Sequence, residues 1–568
     1  MTQTIVHFSH WPFFLLLVSC ILLGYLFSSS SILLDSDKTF LSPRKCTIIL
    51  VTIILFGAAL RFYGLDFGFP RYYHPDERKK VYVISKMLRR DTLDPDYFFH
   101  PTLLLYLTII VSKLSNFFGF DITSIDTEYF VANDYLRRSL RILFAGRLVS
   151  ALAGTLSIPM LYFISRDLFG RFTALLSALI LVISPLHITC SRYLKEDCLL
   201  TFVMLIVIYF CSRVIKRGEI RSIYLASFFV GISIAVKYPG IICLSVVCLL
   251  PWAKIQIQSL RDLLNPDRAI FSHVIRSLLL VPCGFFICSP YSFLNLTQST
   301  GGILTEYNHA VTGHHGLVIS PISEWCLFYF SRTLIPGMSI LTIAVSLMSI
   351  GVFFRRPTNG LFLIITAVSV FYFAAELIPS KPLPQPDRYI LPCVPLVAIL
   401  AAYFTCRLKN LMVTVILICC LVFYPLNRSI ALASEIRIDT RKQATEWIVK
   451  NLPHSSRILT FGGSEYLCRI PRSFKAVAAR LVIGTEKKNI AKRLSSSGYD
   501  YLVRAHFYQS RFEFFPHPAQ ERKAALEEIE RSFTLVKKFT APHGSYGFHN
   551  PTIEIYSLKN DEVRVKPE

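Results

Sequence analysis

Apolar runs with few or no charges recur along the chain, at residues 11–34, 46–60, 148–165, 172–191, 198–212, 222–236, 238–253, 277–305, 333–354, 357–375, 389–406 and 411–427. Several are long enough as helices to cross about 30 Å of hydrocarbon, and flanking side chains that snorkel complete the shorter ones. The pattern predicts a mainly α, polytopic transmembrane protein with eleven to twelve spans. No Lys or Arg precedes the first run, which argues for a membrane span and against a cleaved signal peptide. Residues 1–45 are read as this extra span and a cytoplasmic linker, and residues 46–426 as the main membrane domain. The stretch 101–118 has only twelve uncharged residues before Lys113, which fits an interfacial or re-entrant helix better than a span.

After residue 427 the pattern becomes that of a soluble domain. "DTRKQATEWIVKNLP" reads as a helix stopped by Pro453, "RILTFGG" and "GYDYLVRAHF" as strands, and "FTLVKKFTAPHGSYGFHNPTIEIYSL" as a strand pair. A small extracytoplasmic α/β domain over 427–568 is expected. It shows no nucleophile motif or phosphate loop, so handling an acceptor or packing over the membrane portion is its expected task.

Composition agrees with a membrane chain: 53% of residues are hydrophobic and the mean hydropathy is +0.48. The net charge of +23 is scattered over short loops and the tail with no nucleic-acid motif, so nucleic acid is not the expected partner and anionic membrane lipids are. Of 15 cysteines only Cys468 lies in the soluble tail, so no disulfide framework is implied.

Charge also sets orientation. If 101–118 does not cross, the loops holding Arg166 and Arg171, Arg213 to Arg221, Lys254 to Arg276, Arg355 and Arg356, and Arg407 and Lys409 all face the cytoplasm, as the positive-inside rule requires. The external side then receives a loop at 64–140, the turn "SRYLKED", "KYPG", a loop at 291–332, the turn around Arg388, and the tail. Asp76, Glu77, Glu196 and Asp197 fall on that one face.

Ionisable residues beside spans are costly and usually functional. Arg147, His187, Lys195 to Asp197, Lys237, Glu376 and Arg388 all fall toward the outer ends of their spans, which favours an interfacial site over a midplane transport site. Lys237 and Arg388 taken singly also read as snorkelling side chains. The stretch "RYYHPDERKK" admits two readings: Pro75 and the acids after it suit the first turn of an amphipathic helix, and the same acids suit chemistry. In the 291–332 loop Glu306, His309, His314 and His315 are candidates for a divalent metal or an acceptor, without a matched His-x-x-x-His and carboxylate set.

Taken in order, "YYHPDE", "FFHPTLLLYL", "AGRLVSALAG", "SRYLKED", "GISIAVKYPG", "HHG…EW" and "DRYILPCVPL" resemble the GT-C membrane glycosyltransferases, in the branch of the protein O-mannosyltransferases and lipid A aminoarabinose transferases. The resemblance spans about residues 46–426. It implies transfer of a sugar, mannose or another hexose or pentose, from a polyprenyl-phosphate donor on the non-cytoplasmic face, with inversion. The family's first-loop acid maps onto Asp76 with Glu77 beside it, its second-loop aspartate onto Asp197, and its arginine opening the following span onto Arg147. One departure is His100-Pro101-Thr102, where many relatives have Lys-Pro-Pro. The chemistry requires a carboxylate to take the hydroxyl proton and cations to hold the departing phosphate. Asp76 is the expected base, and Arg147, Lys237 and Arg388 the expected phosphate ligands. Glu77 and Asp197 remain open between orienting the acceptor, tuning Asp76 and sharing a divalent cation. Acceptors implied are a protein, lipid A or an envelope glycan, with a bacterial inner membrane as the setting. A transporter or flippase of lipid-linked sugars is the alternative.

Overall fold

The computed structural model describes residues 11–29, 42–117, 134–253, 266–313, 318–381, 386–461, 465–479, 490–506, 518–544 and 546–559. Among these, seven helices are long and apolar enough to cross a membrane, or eight if the pair Phe330–Met338 and Ile340–Arg355, bent by 108°, is one span. That bend falls at Ser339, whose φ of 102° is rare for a residue with a side chain. Shorter apolar helices, such as Arg221–Val236 and Cys393–Arg407, lie at other predicted runs but fall short of that length, so among the described residues seven or eight spans stand against the eleven to twelve expected. The chain is a multi-pass membrane protein.

Local signals explain the helix ends. Glu196–Arg217 starts with Glu196 and Asp197 in its first turn, ends with Lys216 and Arg217, and stops at Gly218 in the left-handed region. This matches charge to the helix dipole at both ends. At 1.5 Å per residue its acidic start lies about 33 Å from its basic end. Pro75–Arg90 is built likewise, with His74 as N-cap, Pro75 at its first position and Arg89 and Arg90 in its last turn. Its residues Val81, Ile84 and Met87 are buried at helical spacing.

Three boundaries differ from the sequence reading. The expected run 277–305 is divided: a span covers Arg268–Cys288, and separate helices follow at Tyr291–Leu294 and Leu296–Thr312, because Ser289 and Pro290 interrupt the ladder. The helix expected to open at Arg147 starts at Asp134 and runs to Phe169, so Arg147 lies well inside it. The last apolar helix runs from Leu411 to Glu435, past residue 427, through an internal Pro425.

The N-terminal helix Trp11–Ser29 docks on Ile340–Arg355 through two glycines. A Cβ on Gly24 would meet the Met348 carbonyl oxygen at 2.0 Å, and one on Gly351 the Ile21 carbonyl oxygen at 1.9 Å. Only glycine permits backbones this close. Trp11 packs edge-on against Trp325 of the 318–329 segment at 5.0 Å between ring centroids.

The C-terminal domain contains five strands: β1 (Arg457–Phe461), β2 (Lys475–Ala479), β3 (Tyr501–Ala505), β4 (Thr534–Phe539) and β5 (Ile553–Ser557). Their order is β2-β1-β3-β5-β4. The β1 strand pairs in parallel with β2 and β3, while β5 runs antiparallel to β3 and β4. The expected helix at Thr440–Asn451 and the expected strands β1, β3, β4 and β5 are present, whereas β2 was not anticipated.

Candidate functional site

The two adjacent carboxylates point in different directions. Asp76, in the first turn of its helix, accepts a hydrogen bond from Lys195 Nζ at 2.5 Å and lies 3.5 Å from Arg388 Nη1, with 38% of its side chain exposed. Glu77 is fully buried and clasps Arg147 bidentately, with both contacts at 2.8 Å. Glu77 also accepts the Leu194 N–H at 3.0 Å. Arg147 donates in addition to the carbonyls of Leu65 and Phe67, each at 2.8 Å, and stacks over the Phe67 ring. The Arg147 guanidinium is thus engaged by Glu77 and two backbone carbonyls and forms a buried brace between the Asp76 segment and its own helix. Glu77 is the other half of that brace and offers no free edge to a substrate.

Two further acid–base pairs surround Asp76. Asp197 Oδ1 accepts from Lys237 Nζ at 2.8 Å, both side chains being buried. Glu196 meets Lys80 Nζ at 3.0 Å and Lys195 Nζ at 3.8 Å, and its buried Oε2 has no hydrogen-bond partner. A pocket opens beside these pairs, with Asp197, Lys237, Arg388 and Tyr389 at its polar end and apolar walls including Leu200, Met204, Phe371 and Ile378. Arg388 belongs to both the pocket wall and the Asp76 contact. Tyr389 covers Lys237, whose Nζ sits 4.7 Å above its ring.

The charges set protonation. Burial alone would raise the Asp76 carboxyl, but Lys195 and Arg388, helped by Lys80, hold it well below the usual carboxylate range. Burial lowers Lys80 to about 8 against the pull of Glu196. His100 is lowered to about 3, mainly by burial, with Lys80, Lys195 and Lys237 adding to it and Glu196 opposing. His74 is kept neutral by burial, and its Nδ1 accepts the Asp76 N–H at 3.2 Å.

The remaining expected residues are dispersed. His100 stands near Glu196. Glu306 and His309 lie 3.6 Å apart on a half-buried face of Leu296–Thr312, and the Tyr97 hydroxyl is raised by burial and by Glu196, Asp76 and Glu306. His314 lies outside the described residues. Glu376 accepts from the Tyr329 N–H at 2.7 Å and the Tyr372 hydroxyl at 2.9 Å, fastening the 318–329 segment to its helix. His187 meets Arg61, which donates to the Leu181 and Val182 carbonyls at the end of Arg171–Val182. Among the described residues no three His, Cys, Asp or Glu side chains converge as a metal would need. Asp76, Glu77 and Asp197 each face a different base, which is not the arrangement a shared divalent cation requires.

Sequence reasoning missed Lys80, His74 and Tyr389 as parts of this cluster. Lys80 carried one usable signal: it stands one helical turn after Asp76 and so shares its face.

Residues 140–278, which hold Lys195, Glu196, Asp197 and Lys237, match the family model described as dolichyl-phosphate-mannose-protein mannosyltransferase. The chain is 22% identical over 205 residues to the protein named "Putative mannosyltransferase YkcB" of Bacillus subtilis, covering 34% of this chain and 24% of that one. It is 30% identical over 172 residues to protein O-mannosyl-transferase 1 of Rattus norvegicus, covering 27% and 22%. The matched segments thus span about a quarter of the length of these curated relatives. The solved structure of ArnT from Cupriavidus metallidurans bound to undecaprenyl phosphate is similar with a TM-score of 0.47 and 13% identity, over 93% of this chain and all of that one. The chain is a multi-pass membrane protein whose residues 140–278 are similar to the family described as dolichyl-phosphate-mannose-protein mannosyltransferase.

Proposed function

We propose that the protein transfers a sugar from a polyprenyl-phosphate carrier to a hydroxyl or phosphate acceptor on the non-cytoplasmic face, with inversion and with Asp76 as base. One observation carries this reading. A partly exposed carboxylate, held ionised by two cations, shares one of them, Arg388, with an apolar-walled pocket that has a second cation, Lys237, at its polar end. The walls suit a prenyl chain, and the charged end suits its phosphate. The donor named in the description of the matched family, a dolichyl-phosphate sugar, has this chemistry.

An acceptor oxygen attacks the anomeric carbon, its proton passes to an Asp76 oxygen, and the bond from that carbon to the phosphate oxygen breaks with its electron pair left on the phosphate. Arg388, Lys237 and Lys195 receive that charge, arginine as a fork on two oxygens. Free Asp76 is a weak base because Lys195 and Arg388 stabilise its anion. A phosphate that competes for those cations raises Asp76 toward the value a base needs, so donor binding switches the base on. Asp197 holds Lys237 in place, and Glu196 holds Lys80 and Lys195.

The reading is tested by mass spectrometry of surface lipids and glycoproteins from cells lacking the protein, re-supplied with the intact chain or with Asp76→Asn. A sugar-sized mass restored only by the intact chain supports transfer and names sugar and acceptor, whether protein, glycolipid or glycan. Equal restoration by Asp76→Asn overturns the assignment of the base.

A further inference from the structure

The role given to Asp76 above is the starting point for this inference. Between β4 and β5 the chain makes a tight turn in which Tyr546 and His549 exchange backbone hydrogen bonds at 3.4 and 3.0 Å, with Gly547 at a φ of 59°. The start of helix Thr440–Asn451 fixes this turn. Asp439 accepts two hydrogen bonds from the Arg441 side chain, each 2.7 Å, and one from its backbone N–H at 2.9 Å, and Arg441 donates to the Phe548 carbonyl at 2.9 Å. Asn550 accepts the Thr440 N–H at 3.2 Å. The turn delivers Phe548, 3% exposed, to the rear of the charged cluster. Its ring lies 4.4 Å from the His74 ring, and its N–H donates to the Tyr193 hydroxyl at 3.0 Å.

His74 accepts the Asp76 N–H, and Tyr193 stands two residues before Lys195. Phe548 therefore touches both chain segments that supply the Asp76–Lys195 pair. We propose that Phe548 is a positioning residue for Asp76, and that through it the C-terminal domain forms part of the site. Without the ring, the cavity left beside His74 frees the Pro75 turn to shift, and a displacement of about 1 Å at a reacting group costs on the order of 10²-fold in rate.

The full chain in lipid nanodiscs is compared with Phe548→Ala, Phe548→Leu and Tyr193→Phe, with a polyprenyl-phosphate mannose as donor and release of polyprenyl phosphate as readout. Phe548→Ala is expected to lower kcat by about tenfold to a hundredfold while KM for the donor moves by less than about threefold, and Phe548→Leu to restore most of the rate. Tyr193→Phe is expected to lower kcat less than Phe548→Ala does. An unchanged kcat in Phe548→Ala, or a rise in KM alone, overturns the proposal.

A second measurement needs no sugar transfer. The coupling in thermal unfolding between Asp76→Asn and Lys195→Met is measured with Phe548 present and in the Phe548→Ala background, or in Phe548→Leu if the alanine variant does not fold. The coupling should fall by about half or more without the ring, and an unchanged coupling overturns the proposal. If the intact chain transfers no sugar from this donor, the functional reading fails and the coupling alone decides the role of Phe548.

Discussion

Arg147→Met leaves the Glu77 carboxylate at 0% side-chain exposure with only the Leu194 N–H as partner. Breaking a buried pair from one side costs about 3–5 kcal/mol. For a chain of 568 residues, at about 2 cal/mol/K of unfolding entropy per residue, Tm shifts by roughly 1 °C per kcal/mol, so it should fall by about 3–5 °C. The double substitution Glu77→Met with Arg147→Met removes both charges and should recover part of that loss, since an apolar pair of similar volume is often near neutral. Asp76→Asn, one residue away, should behave in the opposite manner. Its partly exposed pair contributes at most about 1 kcal/mol, while loss of the base lowers transfer by about 10²–10⁴-fold. Thermal unfolding of the purified chain by intrinsic fluorescence, beside a transfer assay, reads both quantities. An Arg147→Met chain that keeps its Tm but no longer binds a lipid phosphate would refute the brace and return Arg147 to the donor.

Lys237→Met strands the buried Asp197 and removes a cation from the pocket, so binding of a polyprenyl phosphate, measured by ligand-induced thermal shift, should weaken by about tenfold or more, and unchanged binding would exclude Lys237 as a phosphate ligand. The rate should fall above about pH 8 as Lys80 loses its proton and leaves the buried Glu196 carboxylate without its charged partner at 3.0 Å, which loosens the cluster. This limb should appear without unfolding, because between about 8 and the ordinary 10.5 the unfolded chain binds more protons at this lysine, so rising pH favours the folded chain. Lys80→Arg, which does not titrate there, should remove the limb, and a limb that persists assigns it elsewhere. Gly351→Val should lower Tm by a few degrees by forcing the N-terminal helix off Ile340–Arg355, where Ile21 leaves no room for a Cβ.

The membrane helices were legible because an apolar run needs no tertiary information to be recognised; Asp197, Lys237 and Arg388 stood out because each charge abuts such a run, and Asp76 because it follows His74-Pro75 at a helix start. The roles of Glu77 and Arg147 were not legible. Consecutive residues on a helix diverge by about 100°, and which of two neighbouring acids meets an arginine 70 positions later is set by packing. Lys80 was hidden among Arg78, Lys79 and Lys86, where a charge-rich helix reads as a solvated face. The β2 strand, "KAVAA", has a single β-branched residue and no alternation of large side chains, so parallel pairing with β1 defines it where propensity does not. The break after Cys288 escaped notice because Ser and Pro inside an apolar run carry little weight in hydropathy.

The wedge at Phe548 has a consequence for how the protein is made. Phe548 and Tyr193 are 355 residues apart, so at ordinary rates of synthesis about 20–70 s separate the two. During that interval the membrane helices can be in place while the turn bearing Asp76 still lacks its support. A nascent chain would then carry every charged residue of the cluster without their working arrangement, and would acquire it only when the final hairpin folds back onto His74.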